Sequence, residues 1–134
     1  MLLLHSVSLS ATSFEVTSSD GMVVSQDYLA SEVGAQVLAD GGNAVDAAIA
    51  VAFALTVTHP QAGNITGGGF MMIYDASAKQ VYALDYREKA PLNATADMFL
   101  DSAGNPDAHK SRFSALAVGV PGTLAGLKAA HQRF

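Results

Sequence analysis

The sequence predicts an α+β fold in which helices cover both faces of a β-hairpin. Two apolar runs rich in Val, Ile, Tyr and Phe occupy residues 70–74 and 81–86, and the short polar segment 75–80 between them suits a hairpin loop. Neither run alternates cleanly between apolar and polar residues, as a strand with one wet face does. Residues 44–57 are apolar nearly all round, which is typical of a buried helix. A hairpin that is apolar on both faces needs cover on both, and helices above and below it give a layered sandwich.

Composition indicates a well-packed globular domain and excludes several classes of protein. The chain has 134 residues, of which 50% are hydrophobic and 14% are charged. Its formal net charge is -5, and all seven Lys and Arg residues lie from Lys79 onward. This acidic first half, without a basic run later, argues against nucleic acid as a partner. The sequence has no Cys, which excludes disulfides and zinc–thiolate sites, and its four His residues show no metal-ligand spacing.

The first segment of the chain is expected to lie outside the folded domain. Residues 1–20 are rich in Ser and Thr and lack the basic start and long apolar core of a secretory signal. They are interpreted as a leader or the remnant of an export signal, and the domain is expected over residues 21–134. Residues 21–25 (G-M-V-V-S) are short and apolar and predict a first strand.

Two helices are predicted next. Residues 27–40 place apolar side chains at i, i+4, i+8 and i+9 from Leu29, with Ser25 or Asp27 as the cap and a Gly-Gly pair at the end. The apolar helix 44–57 begins after Asn43.

The polar residues at the ends of this second helix are open to two interpretations each. Asp46 stands at the third helical position after Asn43, where it is interpreted as a capping residue and not as a catalytic acid. His59 precedes Pro60 at the helix end. It is either a boundary residue with a satisfied hydrogen bond, which is favoured, or an acid–base group.

A glycine-rich loop leads into the first apolar run. Residues 63–69 contain four glycines, which let the backbone approach another backbone or a ligand closely. The loop is not a phosphate-binding loop, because Phe70 and Met71 stand where Lys and Ser or Thr are required. It is not a dinucleotide fingerprint either, because it leads into a strand and not into a helix.

The last third of the chain predicts shorter elements. Residues 95–100 suggest one or two helical turns, residues 101–110 a polar turn, residues 114–119 a strand, and residues 123–133 a helix with Pro121 in its first turn. The chain stops within or just after this helix, which suggests a piece of a longer protein. If so, sheet positions lack neighbours, and unpaired edges and exposed apolar faces are expected.

Arg87 stands where the second apolar run ends, and it has two interpretations. It either pairs with Asp85 or Glu88 at the surface, as most arginines are solvated, or it serves a site at the strand end. Sequence spacing alone leaves both open.

Seven stretches together resemble the gamma-glutamyltransferase family (gamma-glutamyltranspeptidase, or glutathione hydrolase). In chain order they are G-M-V-V-S, L-A-S-E-V-G, D-G-G-N-A-V-D-A-A-I-A, H-P-Q-A-G-N-I-T-G-G-G-F, D-Y-R-E-K-A-P, D-M-F-L and V-G-V-P-G-T-L-A-G. The G-G-N-A-V-D-A-A and R-E-K-A-P blocks are the most distinctive. The order and spacing match from about Gly21 onward, with Thr66 where many relatives carry another glycine.

The resemblance implies an N-terminal nucleophile hydrolase with an αββα sandwich, of which this chain is similar to the beginning of the large subunit. Family members cleave themselves into two subunits, and the new N-terminal Thr of the small subunit attacks the gamma-glutamyl amide to form an acyl-enzyme. No catalytic residue is therefore expected in this chain, because the nucleophilic Thr lies beyond residue 134. The family arginine that binds the alpha-carboxylate of the donor falls on Arg87, and Glu88 is expected to orient or shield it.

The resemblance also implies the surroundings of the reaction. The expected partners are a small gamma-glutamyl substrate such as glutathione, the rest of the large subunit and the small subunit, without a cofactor or metal. The expected location is periplasmic or extracellular. Two alternatives remain open: an acylase of the same superfamily acting on glutaryl-cephalosporins, and a non-catalytic homologue that serves as a binding or scaffold module.

Overall fold

The computed structural model describes residues 15–134. Most of the interpreted leader, residues 1–14, lies outside the described residues. The elements, in chain order, are α1 (Tyr28–Ala39), α2 (Ala44–Thr58), β1 (Phe70–Asp75), β2 (Gln80–Asp85), α3 (Ala108–Phe113), a 3-10 turn (Ala115–Ala117) and α4 (Thr123–Arg133). Within the described residues, none of these helices has the length and apolarity needed to cross a bilayer.

Helix α1 begins and ends where its sequence predicts. The carboxylate of Asp27 accepts hydrogen bonds from the backbone N–H groups of Leu29 and Ala30, at 3.0 and 3.4 Å. Asp27 is therefore the cap, while the hydroxyl of Ser25 donates to the Asp27 carbonyl oxygen at 2.7 Å. Gly41 follows the helix with a φ of 94°, a conformation that favours glycine.

Helix α2 is opened by a reciprocal capping box. The side-chain oxygen of Asn43 accepts from the backbone N–H groups of Val45 and Asp46, and the Asp46 carboxylate accepts from the Asn43 N–H at 3.0 Å. The interpretation of Asp46 as a capping residue is confirmed. His59 caps the other end, and its Nδ1 lies 2.8 Å from the side-chain nitrogen of Gln61. The interpretation of His59 as a boundary residue is confirmed as well.

Helices α1 and α2 pack closely because small residues lie between them. Gly34 of α1 is buried, and a Cβ added to it would lie 2.5 Å from a methyl of Val51 and 2.8 Å from a methyl of Val23. Val23 belongs to segment 21–25, which has no regular secondary structure and pairs with no strand among the described residues. The predicted first strand is thus wrong: Val23 packs against Gly34 of α1 instead of joining the sheet, while Met22 and Val24 are 52% and 82% exposed.

Strands β1 and β2 form the predicted antiparallel hairpin, with Phe70 opposite Asp85 and Tyr74 opposite Val81. Alternate side chains on one face are partly buried, and α4 lies against β2. The other face is open: Phe70, Met72, Tyr74 and Val81 are 62–68% exposed. Within residues 15–134 helices therefore cover only one face, and the expectation of an exposed apolar face is confirmed.

The segment between the hairpin and α4 departs from the sequence prediction. Residues 95–100 form turns and not a regular helix, and residues 115–117 form a 3-10 turn where a strand was predicted. The Ser114 hydroxyl accepts from the Leu116 N–H at 3.2 Å, which satisfies the backbone locally without a partner strand. Helix α3 was not predicted at all, although Asp107 caps it.

Candidate functional site

Arg87 lies two residues beyond the end of β2, at the strand end predicted for it, and it is exposed. Its backbone N–H donates to the Asp85 carboxylate at 3.0 Å. Within residues 15–134 the one close contact between an acidic and a basic side chain joins His131 Nδ1 to Asp46 at 3.4 Å, so no described carboxylate pairs with the guanidinium of Arg87. Within residues 15–134, the five N–H donors of the guanidinium are therefore available to a ligand.

Backbone pairing on both sides fixes the path of the chain through Arg87. The hairpin ladder continues past the strands: Tyr86 N–H donates to the Gly69 carbonyl at 3.0 Å, and Gly69 N–H to the Tyr86 carbonyl at 3.4 Å. On the other side, Lys89 and Val120 exchange backbone hydrogen bonds of 3.2 and 2.7 Å. Arg87 thus stands between two paired residues, and its backbone cannot swing freely.

The glycine-rich loop and the start of α4 are joined beside this segment. The carbonyl oxygen of Gly67 accepts from the backbone N–H groups of Gly122 and Thr123, at 2.9 and 3.1 Å. These are among the first N–H groups of α4, which have no partner within the helix. The loop therefore caps α4 from outside and holds the helix against the Arg87 segment.

Glycines at the points of contact let these backbones approach closely. A Cβ on Gly68 would lie 2.6 Å from the Glu88 nitrogen and 2.8 Å from the Arg87 Cα, and one on Gly122 would lie 2.0 Å from the Tyr86 carbonyl oxygen. Real Cβ atoms do not approach so closely. The prediction that the glycine-rich loop brings backbone against backbone is confirmed.

A pocket of about 370 Å³ opens beside Arg87. Its lining includes Asp85, Arg87 and Lys89 together with Ala125 and Ala129 of α4. A guanidinium next to an apolar wall suits a small ligand that carries a carboxylate on a short aliphatic chain, because the fork of N–H donors matches the two carboxylate oxygens.

Two neighbours of Arg87 have different surroundings. The Glu88 side chain lies by Gly67 and Gly119, so its expected role beside Arg87 is not a direct ion pair within residues 15–134. Partial burial raises the pKa of the Tyr86 hydroxyl above its ordinary value of 10.0. Tyr86 is therefore neutral at physiological pH.

Sequence reasoning missed the contribution of α4 to this site. Gly122 and Gly126 stand four residues apart and so share one helix face, which allows a second backbone to approach. That spacing was the available signal. Among the described residues, no cluster of three or more His, Cys, Asp or Glu side chains is arranged to hold a metal ion.

Comparisons with known proteins agree on one family. Residues 30–134 match the family model described as gamma-glutamyltranspeptidase. The chain is 55% identical over 119 residues to the glutathione hydrolase proenzyme of Escherichia coli (strain K12), covering 89% of this chain and 20% of that protein. It is also 45% identical over 124 residues to the acylase ACY 1 proenzyme of Pseudomonas sp. (strain V22), covering 88% of this chain and 22% of that protein.

Solved structures give the same result. The gamma-glutamyltranspeptidase of Helicobacter pylori superposes with a TM-score of 0.83 at 51% identity, over 90% of this chain and 34% of that one. The fold is that of the N-terminal nucleophile hydrolases, as predicted. The chain spans about a fifth of the length of the curated relatives that it matches. By its sequence and its fold, this chain belongs to the gamma-glutamyltranspeptidase family.

Proposed function

We propose that the protein containing this chain is a gamma-glutamyltransferase. It cleaves gamma-glutamyl amides such as glutathione through a gamma-glutamyl-enzyme intermediate and passes the acyl group to water or to amino acids and peptides. The observation that carries this proposal is the position of Arg87, whose guanidinium has no described carboxylate partner and stands at a pocket on a backbone held from both sides.

Arg87 supplies the substrate-binding part of the reaction. Its planar fork holds the alpha-carboxylate of the gamma-glutamyl group by two parallel hydrogen bonds, which a lysine cannot copy. Because a short covalent chain joins the carboxylate to the amide, holding the carboxylate limits where the amide can lie and so places it for attack. The apolar residues among those that line the pocket suit the methylene groups between the carboxylate and the amide.

The nucleophile belongs to another part of the protein. We propose that residues 21–134 are the start of the large subunit, that residues 1–20 are a leader or the remnant of an export signal, and that the precursor cleaves itself to free a Thr nucleophile in the small subunit. The proenzyme names of the relatives support this order of events. A periplasmic or extracellular location goes with it, and fractionation of the producing cells with an antibody to this chain tests the location.

Kinetics of the full-length protein test the function. We expect the wild type to release p-nitroaniline from gamma-glutamyl-p-nitroanilide and Arg87→Ala to lose most of its kcat/KM. Arg112→Ala is a matched control, because Arg112 is an exposed arginine on α3. If Arg87→Ala kept the wild-type kcat/KM, the role given to Arg87 would be wrong. If the wild type released nothing, the activity itself would be wrong.

The acylase relative favours one second candidate, a glutaryl amide as substrate. A glutaryl group is a gamma-glutamyl group without its amino group, so Arg87 would serve its carboxylate equally well. The ratio of kcat/KM for gamma-glutamyl-p-nitroanilide to that for glutaryl-p-nitroanilide separates the two, and the proposal expects a ratio well above one. A full-length protein that stays as one uncleaved chain on a denaturing gel would instead favour the non-catalytic scaffold.

A further inference from the structure

Tyr86 stands immediately before Arg87, and its ring is enclosed by two glycines from distant parts of the chain. A Cβ on Gly126 of α4 would lie 2.2 Å from the Tyr86 Cγ, 2.4 Å from its Cβ and 2.5 Å from its Cδ1. A Cβ on Gly69 would lie 3.0 Å from the Cε2 of the same ring and 3.3 Å from its Cζ. Gly126 is buried, whereas Tyr86 is only partly covered.

We propose that Tyr86 and Gly126 are positioning residues that set where the guanidinium of Arg87 stands, and thereby the selectivity for donors with an alpha-carboxylate. This inference rests on the proposed function of Arg87. The ring of Tyr86 acts as a spacer between the glycine-rich loop and α4. Its thickness fixes how far the Arg87 backbone stands from the helix that lines the pocket.

Neither neighbour of the ring can move away at low cost. Helix α4 is tied to the loop by the hydrogen bonds from Gly122 and Thr123 to the Gly67 carbonyl. Tyr86 itself is tied to Gly69 by the extended hairpin ladder. A methyl group at position 126 must therefore displace the Tyr86 segment by about 1 Å to reach the ordinary contact distance of 3.4 Å. Arg87 is covalently next to Tyr86 and moves with it.

The chemical consequence is specific to one part of the donor. A shift of about 1 Å in a group that holds a reactant can cost on the order of 100-fold in rate. The shift affects only donors that use Arg87. The rate with a donor that lacks the alpha-carboxylate does not depend on Arg87, so the shift leaves that rate unchanged.

The test compares two donors on the full-length enzyme: gamma-glutamyl-p-nitroanilide, and 4-aminobutyryl-p-nitroanilide, which is the same donor without the carboxylate. The measured quantity is the donor ratio, which is kcat/KM for gamma-glutamyl-p-nitroanilide divided by kcat/KM for 4-aminobutyryl-p-nitroanilide. For Gly126→Ala we expect this donor ratio to fall by about 10- to 100-fold. Tyr86→Ala, which removes the ring without adding a clash, is expected to lower the donor ratio as well. Tyr86→Phe keeps the ring, and its donor ratio is expected to match that of the wild type.

Gly34→Ala is the matched control. It adds the same methyl group to a helix interior and meets Val51 and Val23 at 2.5 and 2.8 Å, but in the contact between α1 and α2 instead of beside Arg87. We expect it to lower thermal stability and leave the donor ratio within about threefold of the wild type, as overpacking at a separate site should. An equal fall of the ratio in Gly34→Ala would overturn the proposal, because general loosening would then explain the effect.

The results also separate this inference from the proposed function. If Arg87→Ala lowers the donor ratio while Gly126→Ala and Tyr86→Ala keep the wild-type ratio, the role of Arg87 stands and the positioning role is wrong. If Arg87→Ala leaves the ratio unchanged, both are wrong. If Gly126→Ala does not fold, Tyr86→Ala decides by the same ratio.

Discussion

The side-chain amide of Asn43 donates a hydrogen bond of 2.9 Å to the backbone carbonyl oxygen of Phe134, across 91 positions of sequence. The same Asn43 caps α2 with its oxygen atom. The ring of Phe134 lies 5.0 Å from that of Tyr82 on β2. One asparagine thus joins the start of α2 to the end of α4, beside a pocket that residues of β1 also line.

Asn43→Ala is expected to destabilise the protein more than the loss of an ordinary cap. Removing a cap costs about 1 kcal/mol, and a lost hydrogen bond to the Phe134 carbonyl adds roughly another 1 kcal/mol. Asp27→Ala is the matched control, because Asp27 caps α1 through its own first turn. The two changes in melting temperature of the full-length protein are compared by calorimetry. Equal shifts would contradict the tie between α2 and α4.

Arg87→Ala is expected to raise the barrier on gamma-glutamyl-p-nitroanilide by about 2–5 kcal/mol, the scale for removing one member of a buried charge pair. Arg87→Lys should recover only part of this, because an ammonium group cannot form two parallel bonds to a carboxylate. Steady-state kcat/KM measures both. Full recovery with Lys would mean that charge alone matters at this position, and not the planar fork.

Asp75 gives the hairpin loop a pH dependence. The Ser77 hydroxyl, with help from the Ala78 and Ser77 N–H groups, holds the pKa of the Asp75 carboxyl below its ordinary value of 3.8. A lowered pKa in the folded state contributes stability above the unfolded pKa, and this is lost as the pH falls through the folded pKa. Asp75→Asn keeps a neutral acceptor, so its melting temperature should lie below the wild type at pH 6 and approach it below pH 3.8. A gap that persisted at low pH would argue against this charge effect.

The isolated chain is expected to be poorly soluble or loosely folded. Its hairpin exposes one apolar face and unpaired edges within the described residues, and such surfaces promote association. Strong binding of a hydrophobic dye and a broad thermal transition are expected for residues 1–134 expressed alone. A sharp cooperative melt of the monomer would contradict this. The isolated chain should also show no activity on gamma-glutamyl-p-nitroanilide.

Sequence patterns predicted the elements whose causes are local. Helices α1 and α2 carry both their apolar spacing and their caps within a few residues, and the hairpin carries its loop between two β-rich runs. Segments 21–25 and 114–119 have the composition of strands but are not strands here. A strand needs a partner, and the sequence alone does not say which segment pairs with which.

The same limit applies to the site. The place of Arg87 at a strand end followed from the hairpin, and the closeness of the glycine-rich loop followed from its composition. The contact between Gly126 and Tyr86 joins residues 40 positions apart in the sequence. Only the path of the whole chain brings them together, so the Gly122 and Gly126 spacing indicates that a backbone can approach α4 but does not say that Tyr86 is the neighbour.

The hairpin offers a place for labels. Its loop residues 76–79 are exposed, and the ladder from β2 to Tyr86 separates them from Arg87 by seven or more residues, roughly 20 Å at the rise of a strand. A fluorophore or an affinity tag attached there would report on the protein from a distance at which it cannot crowd a donor. Because the hairpin is continuously hydrogen bonded over that length, a probe on its loop would move together with the end of the hairpin that carries Arg87.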